Sequence, residues 1–279
     1  MKRAPAGALC FAVTEFPLEQ IAVPFRMQPG LRRLSEQERQ LTPLAAGSPL
    51  EREKRAVWES GASRLARPGF DPTPALAAIA ARAAAEGCAP PPGTPPELAF
   101  EQDFAVLDGA DGTLPWLCVC VPSHWAPEDK LGLPFAAVHA PVADNQALLA
   151  AGQQLVQLVT VGGCWERFVW TLTPLARYDQ HPRRHPREPW PATVDPEALG
   201  AATWLRAERQ TFFPVGHGTR QAVFTIQVML QPLAHAASVP AAARRLHDAL
   251  ASMTPAVLAY KNLAPAHEPL LRWLSARMG

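Results

Sequence analysis

Two alternating segments, TWLRAERQTFF at 203–213 and QAVFTIQVML at 221–230, constrain this 279-residue chain more than any other feature. Successive side chains of a strand point to opposite sides, so Ala222, Phe224, Ile226, Val228 and Leu230 share one face of the second segment. The first places Arg206, Glu208 and Gln210 together on one face, with Trp204 and Phe212 beside them. The short Gly-containing link PVGHGTR between the segments predicts an antiparallel hairpin.

Two more strands are expected. PWLCVCV at 115–121 is a continuous apolar run bounded by turn residues, as a buried strand would be. CWERFVWTL at 164–172 alternates, with Phe168, Trp170 and Leu172 on one face and Trp165, Arg167 and Val169 on the other. Helices are expected around this set. Residues 35–60 read as two helical pieces broken by Pro43 and Pro49, and 72–86 as a helix stopped by Gly87. Asp144 is expected to cap a helix over 145–160, which Gly162-Gly163 ends. Two further helices open near Pro240 and Pro265.

Strands and helices in this order, without repeated βαβ units, predict an α+β fold around an antiparallel sheet. The Pro-rich stretch APPPGTPPE at 89–97 divides a helical, Pro-rich wrapping region (1–97) from a core with C-terminal helices (98–279), the two folding as one compact unit. An irregular lead-in over 1–30 ends in a turn at Pro29-Gly30.

Composition narrows the function. Twenty-six basic against 25 acidic residues leave a formal charge of +1, which gives no electrostatic reason to expect nucleic acid or an anionic membrane as partner. No apolar run is long enough for a transmembrane helix, and MKRAPAGALC lacks the apolar core of a signal peptide. The chain reads as cytoplasmic. The five cysteines, at 10, 88, 118, 120 and 164, are odd in number and scattered, which suits reduced thiols. Cys118 and Cys120 are expected on the same side of a strand. No P-loop, G-x-G-x-x-G, G-x-S-x-G or H-E-x-x-H occurs. His181 and His185 are four apart, but Pro182 and Pro186 forbid the helix that would put them on one face.

Two clusters could carry chemistry. Arg206 and Glu208 are either a solvated ion-pair stripe or, on a central strand, a buried pair, which is costly unless it serves a site. His124 and His139, in PSHW and VHAPV, are either hydrogen-bonded core histidines or ligands to a metal.

CVPSHWAPEDKLGLPFAAVHAPV, WLRAERQTF, AVFTIQVMLQPL, Tyr260-Lys261-Asn262-Leu263 and, near the start, PFRMQPGLRRL occur in an order that resembles the haem-dependent oxidative N-demethylase α-subunit family. The resemblance spans roughly residues 23–275. It implies a PAS-like antiparallel sheet whose flanking helices enclose a haem pocket. It also implies oxidation of a small methylated amine to formaldehyde and a shorter amine, with O₂ and electrons from a flavin and iron–sulfur reductase or another donor. The family's histidine segment matches Val138 to Val142, which makes His139 the expected axial ligand to the iron of haem b. Where the family often has Pro-Ser-Arg-Trp this chain has Ser123-His124-Trp125, so His124 is the rival ligand. On the same implication Glu208 anchors the cationic amine, while Arg206 or Arg167 hydrogen-bonds a haem propionate or the oxygen ligand. Trp204, Trp170 and Phe224 are expected to wall the haem. A haem-binding sensor or carrier without turnover, and an interaction subunit that has lost haem, are the alternative readings. A homo-oligomer is compatible with all of them.

Overall fold

The computed structural model describes residues 15–27, 30–35, 37–192, 195–216 and 218–279. Cys10, Pro29 of the expected turn and His217 of the hairpin link lie outside the described residues. The fold is α+β. Among the described residues seven strands, β1 (Arg32–Leu34), β2 (Arg64–Ala66), β3 (Asp103–Asp108), β4 (Trp116–Cys118), β5 (Cys164–Thr173), β6 (Trp204–Pro214) and β7 (Gln221–Pro232), form one sheet. Its order is β1-β5-β6-β7-β3-β4-β2, and the pairs are antiparallel. The helices are α1 (Pro49–Glu59), α2 (Thr73–Ala85), α3 (Pro96–Ala99), α4 (Phe135–His139), α5 (Gln146–Ala150), α6 (Gly152–Thr160), α7 (Pro196–Ala201), α8 (Leu233–Ala236), α9 (Pro240–Ala251), α10 (Pro255–Tyr260) and α11 (His267–Ser275).

The expected hairpin forms, pairing from Trp204↔Pro232 to Pro214↔Ala222. With β5 it makes the middle of the sheet, and β1 and β2, both from the N-terminal third, are the edges. One face carries Leu172, Leu205, Ala207 and Met229 into a core closed by α8 to α11, and Phe104, Val106, Trp116 and Val223 into a second core under α2. The other face meets α1 through Ile226 and Val228, and α6 through Leu107 and Phe212. Between those contacts this face stays open, and there the site lies.

Several expectations need correction. Of the two helical pieces over 35–60 only the second forms, started by Ser48, whose side chain accepts from Glu51 N at 3.1 Å, and by Pro49. Before it the chain is irregular because other groups take its amides. Glu86 accepts from Gln40 N and Leu41 N at 3.0 Å each, and Gln102 Oε1 accepts from Thr42 N at 3.0 Å. The strand expected over 115–121 stops at Cys118, since the Asp103 carboxylate takes Cys120 N and Val121 N at 3.0 and 2.8 Å. The two cysteines therefore part company: Cys118 packs under α2 and Cys120 against Leu50 and Val57 of α1. The helix expected over 145–160 is two, broken at Ala151. Asp144 does not cap it, having a left-handed φ of 52° and accepting from Thr254 Oγ1 at 3.0 Å instead.

Gly200 of α7 lies against Trp273 in the C-terminal core, where an added Cβ would meet the indole ring at 2.2 Å. Trp273 is 1% exposed and cannot swing into solvent. Gly200→Ala is expected to cost about 1–3 kcal/mol by overpacking, and calorimetry should show a midpoint several degrees lower. An unchanged midpoint would mean that the indole repacks.

Candidate functional site

The open part of the sheet face floors a cavity of about 870 Å³, near the upper end of the ~300–1,000 Å³ typical of ligand sites. Register decides which side chains face it. Arg167 stands opposite Gln210, Val169 opposite Glu208 and Thr171 opposite Arg206, and the next strand presents Phe224 opposite Phe212. These residues line the cavity. Phe212 and Phe224 stack at 4.6 Å between ring centroids, giving the floor a flat aromatic patch. Leu148, Val156 and Val159 from α5 and α6 form one wall, and Ser123, His124 and Trp125 form part of another.

The alternative left open for Arg206 and Glu208 is settled by burial: they are 1% and 8% exposed. Arg206 donates from Nε to Ser123 Oγ at 2.8 Å, from Nη1 to Arg177 O at 3.2 Å and from Nη2 to Val121 O at 3.1 Å. Each of its nitrogens is thus committed to protein. Burial pulls its pKa down to about 10, against the opposing charge of Glu208. Ser123 Oγ in turn donates to Glu208 Oε1. Gln210 Nε2 donates to Glu208 Oε2 at 2.7 Å, and Arg167 Nε donates to Gln210 Oε1 at 2.6 Å. The carboxylate is held from both sides with one protein donor on each oxygen, and lone pairs remain for a ligand.

Ser123 reaches this network because its loop is pinned. It bridges Gln180, and His124 N donates to Gln180 O at 3.2 Å. His124 has a left-handed φ of 57° and lines the cavity. Burial, then Arg187 and Arg206, lower its pKa to about 4.

His139 ends α4 and lines the cavity. Its Nδ1–H donates to Phe135 O, one helical turn back, at 2.8 Å, and the ring packs on Phe135 with centroids 4.1 Å apart. Burial lowers its pKa to about 4, with Arg167 and Lys130 adding to that and the hydrogen bond to Phe135 O opposing it, so the imidazole is neutral at pH 7. Nδ1 being occupied, Nε2 keeps its lone pair, and no described residue hydrogen-bonds it. Such a backbone bond to one ring nitrogen is how metal-binding histidines are oriented and their tautomer fixed.

Not every expected residue falls here. Trp204 does not line the cavity; it stands at the end of β6, opposite Thr173 and Pro232. Trp170 borders the cavity, but the residue is 6% exposed and its ring packs edge-on against Phe25 at 5.7 Å within the C-terminal core. Conversely, Ser123, Gln210, Arg187, Tyr260 and Lys261 belong to the lining without having been assigned roles from sequence. Lys261 Nζ donates to Trp170 O at 2.8 Å, and burial lowers its pKa to about 8 despite Glu208 nearby.

The arrangement suits a planar, apolar group with an acidic edge. It has an aromatic floor, two neutral imidazoles, those of His124 and His139, and in its lining the half-buried Lys130 and the exposed Arg187. Among the described residues no three His, Cys, Asp or Glu gather as a metal ion held by side chains alone would need, whereas haem requires a single protein ligand. The residues present fit haem. Comparison with known families agrees with this geometry: the model described as haem-dependent oxidative N-demethylase, alpha subunit-like, matches residues 98–271. That match takes in the strands that floor the cavity and the helix that carries His139, and over so much of its length the chain belongs to this family.

Proposed function

We propose that this chain holds haem b and oxidatively demethylates a small methylated amine, using O₂ and electrons from a partner. The carrying observation is His139, whose neutral ring is tied to Phe135 O at 2.8 Å and keeps a free Nε2 at a cavity of about 870 Å³. His139 would hold the iron, Lys130 and Arg187 would meet the propionates, and Phe212 and Phe224 would pack against the macrocycle. Haem supplies the activation of O₂ and the oxidation of the N-methyl group.

The protein's part is to bind, orient and handle protons. Glu208 receives the substrate's ammonium N–H groups on the lone pairs that Ser123 and Gln210 leave over. Oxidation of the methyl carbon gives a carbinolamine, which splits into formaldehyde and the shorter amine. Glu208 is placed to hold the proton that moves from the carbinolamine hydroxyl to the departing nitrogen. Arg206, locked to Ser123 and two carbonyls, fixes the wall on which this happens. The family description speaks of an alpha subunit, and we take the electron donor to be a separate flavin and iron–sulfur protein. Among the described residues no helix is long and apolar enough to cross a membrane, and we place the protein in the cytoplasm.

Haemin titration of the purified protein should give a Soret band saturating at one haem per chain. Adding NADH, a reductase and a methylated amine should then release formaldehyde as amine is lost. A protein that takes up no haem overturns the proposal. Glu208→Gln should weaken amine binding about 10- to 100-fold, the size of a lost hydrogen bond to a charged group, with haem content retained; unchanged affinity in a binding titration would refute the anchor.

A further inference from the structure

The charge around Glu208 does not balance. Arg167, in the middle of β5, makes one hydrogen bond, from Nε to Gln210 Oε1 at 2.6 Å, and no described residue accepts from its terminal nitrogens. Burial lowers its pKa, and Glu208 is the acid that opposes this. Lys261 has a carbonyl for its ammonium, that of Trp170, and Glu208 again as the opposing acid. Arg206 reaches the same carboxylate through Ser123. Glu53, Asp179 and Asp103 also oppose the charge of Arg206, but Arg167 and Lys261 share Glu208 alone, and a bare alkylammonium substrate would add a third cation there. A half-buried guanidinium on the cavity wall, with donors that no described residue accepts, is a ready partner for an anion that a ligand brings.

Lys130 and Arg187 offer positive charge elsewhere on the lining, where propionates can be met without Arg167. Arg167 stands next to the amine anchor, since one amide group, that of Gln210, bridges it to Glu208 with bonds of 2.6 and 2.7 Å. That spacing matches a ligand whose ammonium and carboxylate are close neighbours.

We infer that the substrate of this site is a zwitterion, an N-methylated amino acid that places its ammonium on Glu208 and its carboxylate on the terminal nitrogens of Arg167, with Lys261 adding positive charge. This rests on the demethylase reading above. The test compares N-methylglycine with dimethylamine on the haem-loaded protein, by calorimetric titration and by formaldehyde release. N-methylglycine should bind on the order of tenfold tighter or more. Arg167→Gln should bring the two affinities close together while haem content stays the same, and Lys261→Gln should narrow the gap partly. Equal or tighter binding of dimethylamine to the unaltered protein overturns the inference. So does an unchanged preference in Arg167→Gln, or loss of haem from that variant, which would assign the guanidinium to a propionate. Formaldehyde from dimethylamine without preference for N-methylglycine sinks this inference alone and leaves the demethylase standing, whereas a protein without haem removes both.

Discussion

His139→Ala should abolish stable haem binding, leaving no Soret band after desalting at micromolar protein, and added imidazole should restore part of it. The residue is a suitable ligand because its surroundings keep it neutral and aimed: the Nδ1–H bond to Phe135 O at 2.8 Å sets the tautomer, and burial holds its pKa near 4. His124 shares the low pKa, also about 4, but no side-chain hydrogen bond to a described residue fixes its ring. His124→Ala should therefore keep the haem and shift its spectrum only mildly. The reverse outcome, haem kept in His139→Ala and lost in His124→Ala, would move the iron to the PSHW loop. Both histidines also make the haem-free protein acid-sensitive. Their folded pKa lies below the unfolded value of about 6.5, so between those values the unfolded chain binds more protons. Stability from this source is complete above about pH 6.5 and falls as the pH drops towards 4. Thermal melts across that window should show the midpoint falling with pH, and the double variant without both imidazoles should show a smaller fall.

The largest effect on stability is expected from Lys54→Met. Lys54 and Asp103 are 0% and 1% exposed, and the ammonium lies 3.0 Å from Asp103 Oδ1. It also donates to the carbonyls of Phe100, Glu101 and Gln102 at 3.0, 3.2 and 2.7 Å. Burial alone would lower its pKa, but Asp103 more than offsets this and the value ends above the usual one. Removing the ammonium strands a buried carboxylate and three carbonyls, a loss of about 3–5 kcal/mol. Urea unfolding would show it as a large drop in midpoint. The same carboxylate holds Cys120 N and Val121 N, and Val121 O holds Arg206, so any folded variant should also bind amine more weakly. A cost below about 1 kcal/mol would show that water replaces the ammonium.

How much of this could be read in advance follows from how local each signal is. The β6–β7 hairpin was legible because alternation and a short Gly link are properties of neighbouring residues. The Arg206–Glu208–Gln210 face was legible too, although its burial was not, since that depends on strands and loops far away in sequence. β3 leaves no mark in the sequence, because FAVLD is short and buried on both faces, with no alternation; β1 and β2 are three residues each, too brief for any pattern. Ser123 enters the site only because Gln180 pins its loop, and Lys261 only because the helix before it ends beside Trp170. Arg167 and Trp170 are three apart on a strand, so parity alone keeps their side chains from sharing a face.

The two short borders of the sheet have a further effect. Residues 98–271, the part that matches the family, contain the five inner strands, while β1 and β2 come from upstream. Cutting the chain at residue 98 would bare the outer amides and carbonyls of β5 and β4, and rows of unmet backbone groups act as templates for another molecule. Such a fragment should self-associate and precipitate, a hazard that three residues at either margin suppress in the uncut chain.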